Sequence, residues 1–176
     1  MKIAIFGGSF DPPHLGHEAI ITTALHTLDI DLLAVVPTWL SPFKTTVSTP
    51  ASLRLAWVKK AWGGIAKVSV LDYEVRQERA VASIETVQYL QGLYHPSHIY
   101  LIIGEDNLRT LHQWTAYKEL RNRVEFVVAS RGGKSETSLK KLPINVTISS
   151  SKLREHLDAS MLPKPIVMDI LDYYTP

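Results

Sequence analysis

Two histidines stand three residues apart in "GGSFDPPHLGH", which runs from Gly7 to His17 directly behind the apolar stretch "IAIF". Gly7 and Gly8 let the backbone turn sharply and approach a ligand with no Cβ in the way. Pro12 and Pro13 stiffen the loop and deliver the chain to a helix. His14 and His17 then fall on, or just before, the first helical turn, where residues three apart share a face. A helix N-terminus adds free N–H groups and a positive dipole end, so the combination favours an anion, phosphate above all. Two other readings compete. The stretch could be a structural turn with surface histidines, or His-x-x-His could hold a metal. The metal reading is weaker, because the neighbourhood offers only Asp11 and Glu18 as carboxylates and no Cys.

A second cluster lies near the other end of the chain. In "ISSSKLRE" (148–155), three serines precede a helix that carries Arg154 one turn in. Hydroxyls and helix N–H groups again suit an anion, and Arg154 supplies a planar cation with several donors. Alone, serine before a helix is more commonly a cap. Other nucleotide motifs are excluded. No Gly-x-Gly-x-x-Gly follows a strand, and "GGKS" (132–135) would need a glycine where Val128 stands.

These clusters need elements to hold them. Apolar runs at 2–6, 32–37, 67–71, 98–104 and 124–130 read as buried strands, and 144–148 as a short sixth. Helical spacing runs from Gly16 to about Leu28. A helix over 49–62 has Thr49 as its cap and Pro50 at its first position, and another, 83–94, is opened by Ser83. Two short helical stretches, 106–113 and 115–122, follow strand 4; Ser150 caps a further helix and 164–174 is the last. Residues 131–143 read as a polar loop. Strand-helix alternation predicts an α/β fold: a Rossmann-like parallel sheet of about six strands flanked by helices on both faces. Ligands bind such sheets at the carboxyl ends of the strands, where the Gly7–His17 stretch begins. No linker or repeat divides residues 1–176. They read as a single domain, with 150–176 a C-terminal helical part packing on it.

Composition narrows the function further. The chain has 176 residues, 45 % of them hydrophobic and 20 % charged, and a formal net charge of +2. Such a charge does not indicate a nucleic-acid binder. With no cysteine, thiolate catalysis and disulfides are excluded. The longest apolar runs fall far short of the ~20 residues a membrane span needs, and the N-terminus lacks a signal-peptide pattern. The expectation is a soluble, cytoplasmic protein without a membrane partner, homo-oligomerisation being left open.

Taken together, the two clusters resemble the nucleotidyltransferase superfamily. Its Gly-x-Phe-x-Pro-x-His-x-Gly-His pattern falls here on Gly8, Phe10, Pro12, His14, Gly16 and His17, and its Ser-x-Ser/Thr-x-x-Arg pattern on Ser149, Ser151 and Arg154. The stretches between are similar to one branch, the bacterial nicotinate-mononucleotide adenylyltransferases. "PTWLSPFK" (37–44), "LIIGEDNLRTLHQW" (101–114), "VVASRGG" (127–133) and the C-terminal "LPKPIVMDILDYY" carry that likeness over nearly the whole chain. Two places depart from it. The family's Pro-Pro-His-Lys is Ser41-Pro42-Phe43-Lys44 here, and its Ser-Tyr-Thr is Val81-Ala82-Ser83.

The resemblance implies adenylyl transfer from ATP to the 5′-phosphate of nicotinate mononucleotide, giving deamido-NAD and pyrophosphate, a step of NAD biosynthesis. It implies His14, His17, Lys44 and Arg154 as catalytic residues, with the histidines on the α- and β-phosphates. ATP would be bound by Gly7, Gly8, Ser9, Phe10, Gly104, Asp106, Arg131, Ser150 and Ser151. The nicotinate nucleotide would meet Ser83, Trp114 and Thr115, the indole stacking on the pyridine ring. Mg²⁺ would arrive bound through the ATP phosphates, with no protein ligands. The rivals are a phosphopantetheine adenylyltransferase and a non-catalytic nucleotide-binding regulator.

Overall fold

The computed structural model describes residues 1–45, 49–130 and 137–175. Six strands, β1 (Lys2–Gly8), β2 (Leu32–Pro37), β3 (Val68–Val70), β4 (His98–Gly104), β5 (Glu125–Ser130) and β6 (Lys140–Pro143), form one sheet. Every pairing is parallel, in the order β3-β2-β1-β4-β5-β6. The chain steps outward from β1 to β3, then returns to lay β4 against the other side of β1. The winding therefore reverses between β1 and β4, and a crevice opens there at the carboxyl ends of the strands.

Among the described residues seven α-helices accompany the sheet: α1 (Leu15–Thr27), α2 (Ala51–Trp62), α3 (Tyr73–Arg76), α4 (Ser83–Tyr94), α5 (Tyr117–Arg123), α6 (Ser150–Glu155) and α7 (Val167–Tyr174). Alternate strand residues face opposite layers, as strand geometry requires. Ala4 and Phe6 pack with Ile20, Ile21 and Ala24 of α1 and Trp62 of α2. Ile3 and Ile5 pack with Ile84, Val87 and Leu90 of α4 and Leu120 of α5. Both faces are covered, which is why the central strands are unbroken apolar runs. A third cluster sets Leu153, Leu162, Ile166 and Ile170 against Trp57, seating the C-terminal helices on α2. No helix among the described residues is long and apolar enough to cross a membrane.

The structure departs from the sequence reading at several ends. Helix α2 begins at Ala51, with Pro50 in the cap position and no side-chain cap. Thr49 is drawn away: its hydroxyl lies 3.1 Å from that of Tyr174. The sixth strand is Lys140–Pro143, not 144–148. It is an edge strand with only Leu142 buried, so its Lys-Lys-Leu-Pro pattern resembles a loop. Ile144 and Ile148 bury their side chains beyond the ladder's end. Of the two helical stretches expected after β4, 106–113 is a pair of 3₁₀ turns, Glu105–Asn107 and Leu111–Gln113, while 115–122 is the short helix α5. One-turn α3 has no counterpart in the sequence reading; four residues are too few for a period to show.

Arg54, on α2, holds the crevice loops together. It is fully buried at 0 % exposure. Its Nη1 donates to Ser9 O at 2.6 Å and to Thr38 O at 2.8 Å. Nη2 donates to Trp39 O at 2.8 Å, and Nε to Thr49 O at 3.0 Å. One guanidinium thus ties the loops after β1 and β2 to the approach to α2. Arg54→Met would leave these carbonyls without their donor, at about 1–3 kcal/mol for each buried group left unpaired. Thermal unfolding should fall by at least ~6 °C, at roughly 2–4 °C per kcal/mol for a domain of this size. A fall of less than ~2 °C in scanning calorimetry would contradict the clamp.

Candidate active site

The first turn of α1 is built from the two histidines. His14 is the N-cap, with extended backbone, and its Nδ1 accepts from Gly16 N at 3.0 Å and His17 N at 3.3 Å. The Nδ1 of His17 accepts in return from His14 N at 3.2 Å. The rings stack, with centroids 3.7 Å apart and planes 18° from parallel. A nitrogen that accepts carries no proton, so each neutral ring holds its proton on Nε2. Each Nε2–H can then act as a donor. His14 is only 1 % exposed, whereas His17 is half-buried against the edge of Phe10, 4.8 Å away.

Glycine is required inside this cap. A Cβ on Gly16 would lie 2.8 Å from His14 Cε1 and 2.9 Å from its Nδ1. At Gly8 a Cβ would meet the Phe10 ring at 3.1 Å. Phe10 itself adopts a left-handed φ of 50° and sends its ring into the core against Phe6 and Trp62. It can therefore offer a nucleotide only its backbone.

The serine-rich segment docks on the same loop. Ser149, rather than Ser150, is the N-cap of α6, accepting from Lys152 N at 3.2 Å. Ser150 Oγ donates to Pro12 O at 3.0 Å, and Arg154 Nη1 donates to Asp11 O at 2.6 Å. Ser151 Oγ accepts from Arg154 Nη2 at 3.4 Å. Lys44 reaches in from the loop after β2, its Nζ 3.3 Å from Ser9 Oγ. Burial, and then the charge of Arg154, hold the Lys44 ammonium below its usual range; Arg54 adds to this and Asp11 opposes it. Arg54 is likewise lowered by burial, with Asp11 opposing. Three cations therefore gather around one buried carboxylate, Asp11, and a bound anion would relieve their repulsion.

Beside this cationic end lies a cavity of about 320 Å³ over the β1–β4 crevice. Gly7, Gly8, Ser9, Gly104, Ser83, Trp114 and Thr115 are among its lining residues. Phe43 lines it with its ring 60 % exposed, 6.1 Å from the ring of Trp114. Among the described residues Thr38 Oγ1 and Trp114 Nε1 are buried and have no hydrogen-bond partner, and both residues line the cavity. Unpaired buried polar atoms are uncommon in folded proteins.

The structure thus brings Gly7, Gly8, Ser9, Gly104, Ser83, Trp114 and Thr115 around one cavity. His14, His17, Lys44, Ser150, Ser151 and Arg154 adjoin it through the Ser9–Pro12 loop. Asp106 is exposed and outside the lining, where its neighbour Asn107 stands instead. Arg131 lies outside the described residues. Sequence reasoning missed Thr38, Glu74, Thr86 and Gln113, all of which line the cavity. Thr38 and Gln113 lie in stretches that carry the family likeness, but Glu74 and Thr86 lie in none.

The parallel sheet with a histidine-capped helix at its switch point places the chain in the Rossmann-like α/β class, and a family model described as cytidylyltransferase-like matches residues 5–156. The chain is 48 % identical over 175 residues to a protein of Nitratiruptor sp. named "Probable nicotinate-nucleotide adenylyltransferase", covering 99 % of each. A Campylobacter jejuni protein of the same name is 46 % identical over 175 residues, with 99 % of this chain and 97 % of that one covered. The nicotinic acid mononucleotide adenylyltransferase of Plasmodium falciparum, solved with NaAD, shares the fold with a TM-score of 0.74 at 22 % identity, over 98 % and 95 % of the two chains. The chain belongs to the cytidylyltransferase-like family and, within it, to the nicotinate-nucleotide adenylyltransferases.

Gly16→Ala tests the cap. The buried His14 ring has no room to yield, so the substitution should break its bonds to the first turn. Loss of a cap costs about 1 kcal/mol and overpacking about 1–3 kcal/mol more. Amide exchange at the start of α1 should accelerate and unfolding should occur several degrees lower. Unchanged exchange there would show that the histidines do not hold the turn.

Proposed function

We propose that this chain catalyses its family's reaction, moving AMP from ATP to the 5′-phosphate of nicotinate mononucleotide, with the polyphosphate at the histidine cap and the pyridine ring in the adjoining cavity. The observation that carries this reading is the pair of unpartnered buried groups, Thr38 Oγ1 and Trp114 Nε1, in a cavity contiguous with a cationic loop. An acceptor oxygen forms a bond to the α-phosphorus, and the bond to the bridging oxygen breaks to release pyrophosphate. The attacking phosphate is already ionised near neutrality, so no general base is needed. Positioning and charge stabilisation supply the catalysis.

The geometry supports the following roles. His17 Nε2–H donates to the α-phosphate, and buried His14 holds His17 and the first turn in place. Lys44 and Arg154 stabilise the departing pyrophosphate, with Ser150 and Ser151 fixing α6 against the loop. Gly7, Gly8 and Ser9 let the nucleotide approach the backbone closely, and Gly104 does so at β4. Ser83 and Thr115 offer N–H groups to the ring carboxylate, and Trp114 supplies the flat face. Mg²⁺ enters on the triphosphate, as part of the substrate. Among the described residues no group of three His, Cys, Asp or Glu side chains is placed to hold a metal.

His17→Ala should lower kcat about 10²–10³-fold, the usual consequence of losing one donor to a developing charge, while ATP still binds. Near-normal kcat would remove His17 from the chemistry. The reaction itself is tested by pyrophosphate release from Mg-ATP with nicotinate mononucleotide, its amide and phosphopantetheine in parallel. An amide must turn its NH₂ toward a donor that the carboxylate would accept from, leaving that donor unpaired at about 1–3 kcal/mol. It also loses a charge-assisted hydrogen bond. The acid should therefore be favoured about 10²–10³-fold in kcat/KM. Equal use of acid and amide would contradict the pocket assignment, and preference for phosphopantetheine would overturn the acceptor.

A further inference from the structure

The transfer chemistry leaves one acidic group of the cavity without a role. Glu74, on the one-turn helix α3, lines the cavity although its side chain is only 6 % exposed. Thr86 Oγ1 donates to its Oε1 at 2.6 Å. Among the described residues no other donor hydrogen-bonds this carboxyl group. Thr86 is itself buried, and lies one turn into α4 from Ser83. The Glu74 carboxyl is thereby fixed beside the first turn of α4, on the wall that Ala82 and Ser83 share. That turn opens a twelve-residue helix, and its dipole favours a carboxylate. Thr38, nine-tenths buried and with no hydrogen-bond partner for its hydroxyl among the described residues, lines the same cavity.

We propose that Glu74 is the specificity-determining residue of the acceptor pocket: as a neutral acid, it donates its proton to the carboxylate of the acceptor's pyridine ring. The inference rests on the acceptor reading above and adds to it the protonation state in which the pocket works. Two carboxyl groups in one buried place cannot both ionise, so they share a proton. A buried acid held neutral can act as a hydrogen-bond donor.

The surroundings of Glu74 support this state. Burial raises its carboxyl to about 7, with Thr86 opposing and the nearby charge of Glu85 adding to the rise. The charges on the packed elements are few. Helix α4 presents Glu85, which is bridged to Arg79. Strand β2 bears no ionisable side chain. Helix α2 carries Arg54, bound to backbone carbonyls, Lys59, and Lys60, paired with Asp169. Tyr73 lies next in sequence. Of these, Glu85 acts on Glu74 and no cation offsets it.

The sign follows directly. Below about pH 7 Glu74 carries the proton that the acid acceptor needs. Above it, an ionised Glu74 repels a carboxylate but can accept from an amide. The acceptor's KM should therefore rise with pH, approaching tenfold per unit well above 7 as one proton must be taken up. The preference for acid over amide should shrink in step.

The experiment measures KM for nicotinate mononucleotide and for its amide between pH 7 and 9 at saturating Mg-ATP, in the native chain and in Glu74→Gln. Glutamine keeps an oxygen for Thr86 and an N–H for the ligand, but does not titrate. The native KM for the acid should rise with pH while that of Glu74→Gln stays level. At pH 9 the variant should bind the acid at least tenfold better than the native chain, a gain that a merely structural role would not produce. Titration calorimetry of the acid at pH 7.5, in two buffers of different ionisation enthalpy, should show proton uptake in the native chain and none in the variant. A level native profile, the same slope in both chains, or proton release, as expected if Glu74 paired with the ring cation, would overturn the proposal. If the acid neither binds nor reacts at any pH, the acceptor reading falls, and this inference with it.

Discussion

The first turn of α1 is closed by imidazoles, not by the Ser, Thr, Asp or Asn that usually caps a helix. That choice constrains everything around it. Each Nδ1 accepts from the backbone of the other's segment, so the ring orientations are set by the helix itself. The stacked pair cannot move without freeing N–H groups in a buried turn. A catalytic donor on this site therefore needs little outside support, and its geometry is as rigid as the helix that carries it. Gly16 is the necessary companion, since any side chain there meets the His14 ring.

The remaining elements serve to bring charge to that turn. Strand β1 delivers the loop, and the return of the chain to β4 opens the crevice beside it. Arg54 binds the loops after β1 and β2 from below, and α6 holds the Asp11–Pro12 segment from the side. Lys44, Arg54 and Arg154 meet around Asp11, and burial depresses the ionisation of the first two. The arrangement suits an anion and is uncomfortable without one. On the function proposed, electrostatics draws in the polyphosphate, while the neighbouring cavity, lined by polar and apolar groups alike, takes the second nucleotide.

The sheet and the histidine-bearing turn after β1 were legible in the sequence because their signals are local. Unbroken apolar runs mark buried parallel strands, and "GGSFDPPHLGH" places its histidines at a helix start by spacing alone. The reciprocal cap was not legible, because helix spacing shows which face the rings share but not which nitrogen meets which N–H. The edge strand β6 escaped notice because one buried leucine among lysines carries no period. The cavity's outer wall was hardest. Glu74 and Thr86 are twelve residues apart and come together only when α3 packs beside α4. Asp106 and Asn107 show the same limit: a motif can give the turn but not which of two neighbours faces inward.

The two imidazoles are neutral, with Nδ1 accepting and Nε2 protonated, and the proposed function makes His17 Nε2–H the donor to the nucleotide's phosphate. Long-range ¹H–¹⁵N correlation spectra of the chain with ¹⁵N-labelled histidine read this directly. For His14 and His17 both, the account predicts the Nε2–H tautomer in the free chain, with the Nε2 resonance of His17 shifting when Mg²⁺ and a non-hydrolysable ATP analogue are added. Protonation at Nδ1 in either ring, or a His17 resonance indifferent to the nucleotide, would contradict it.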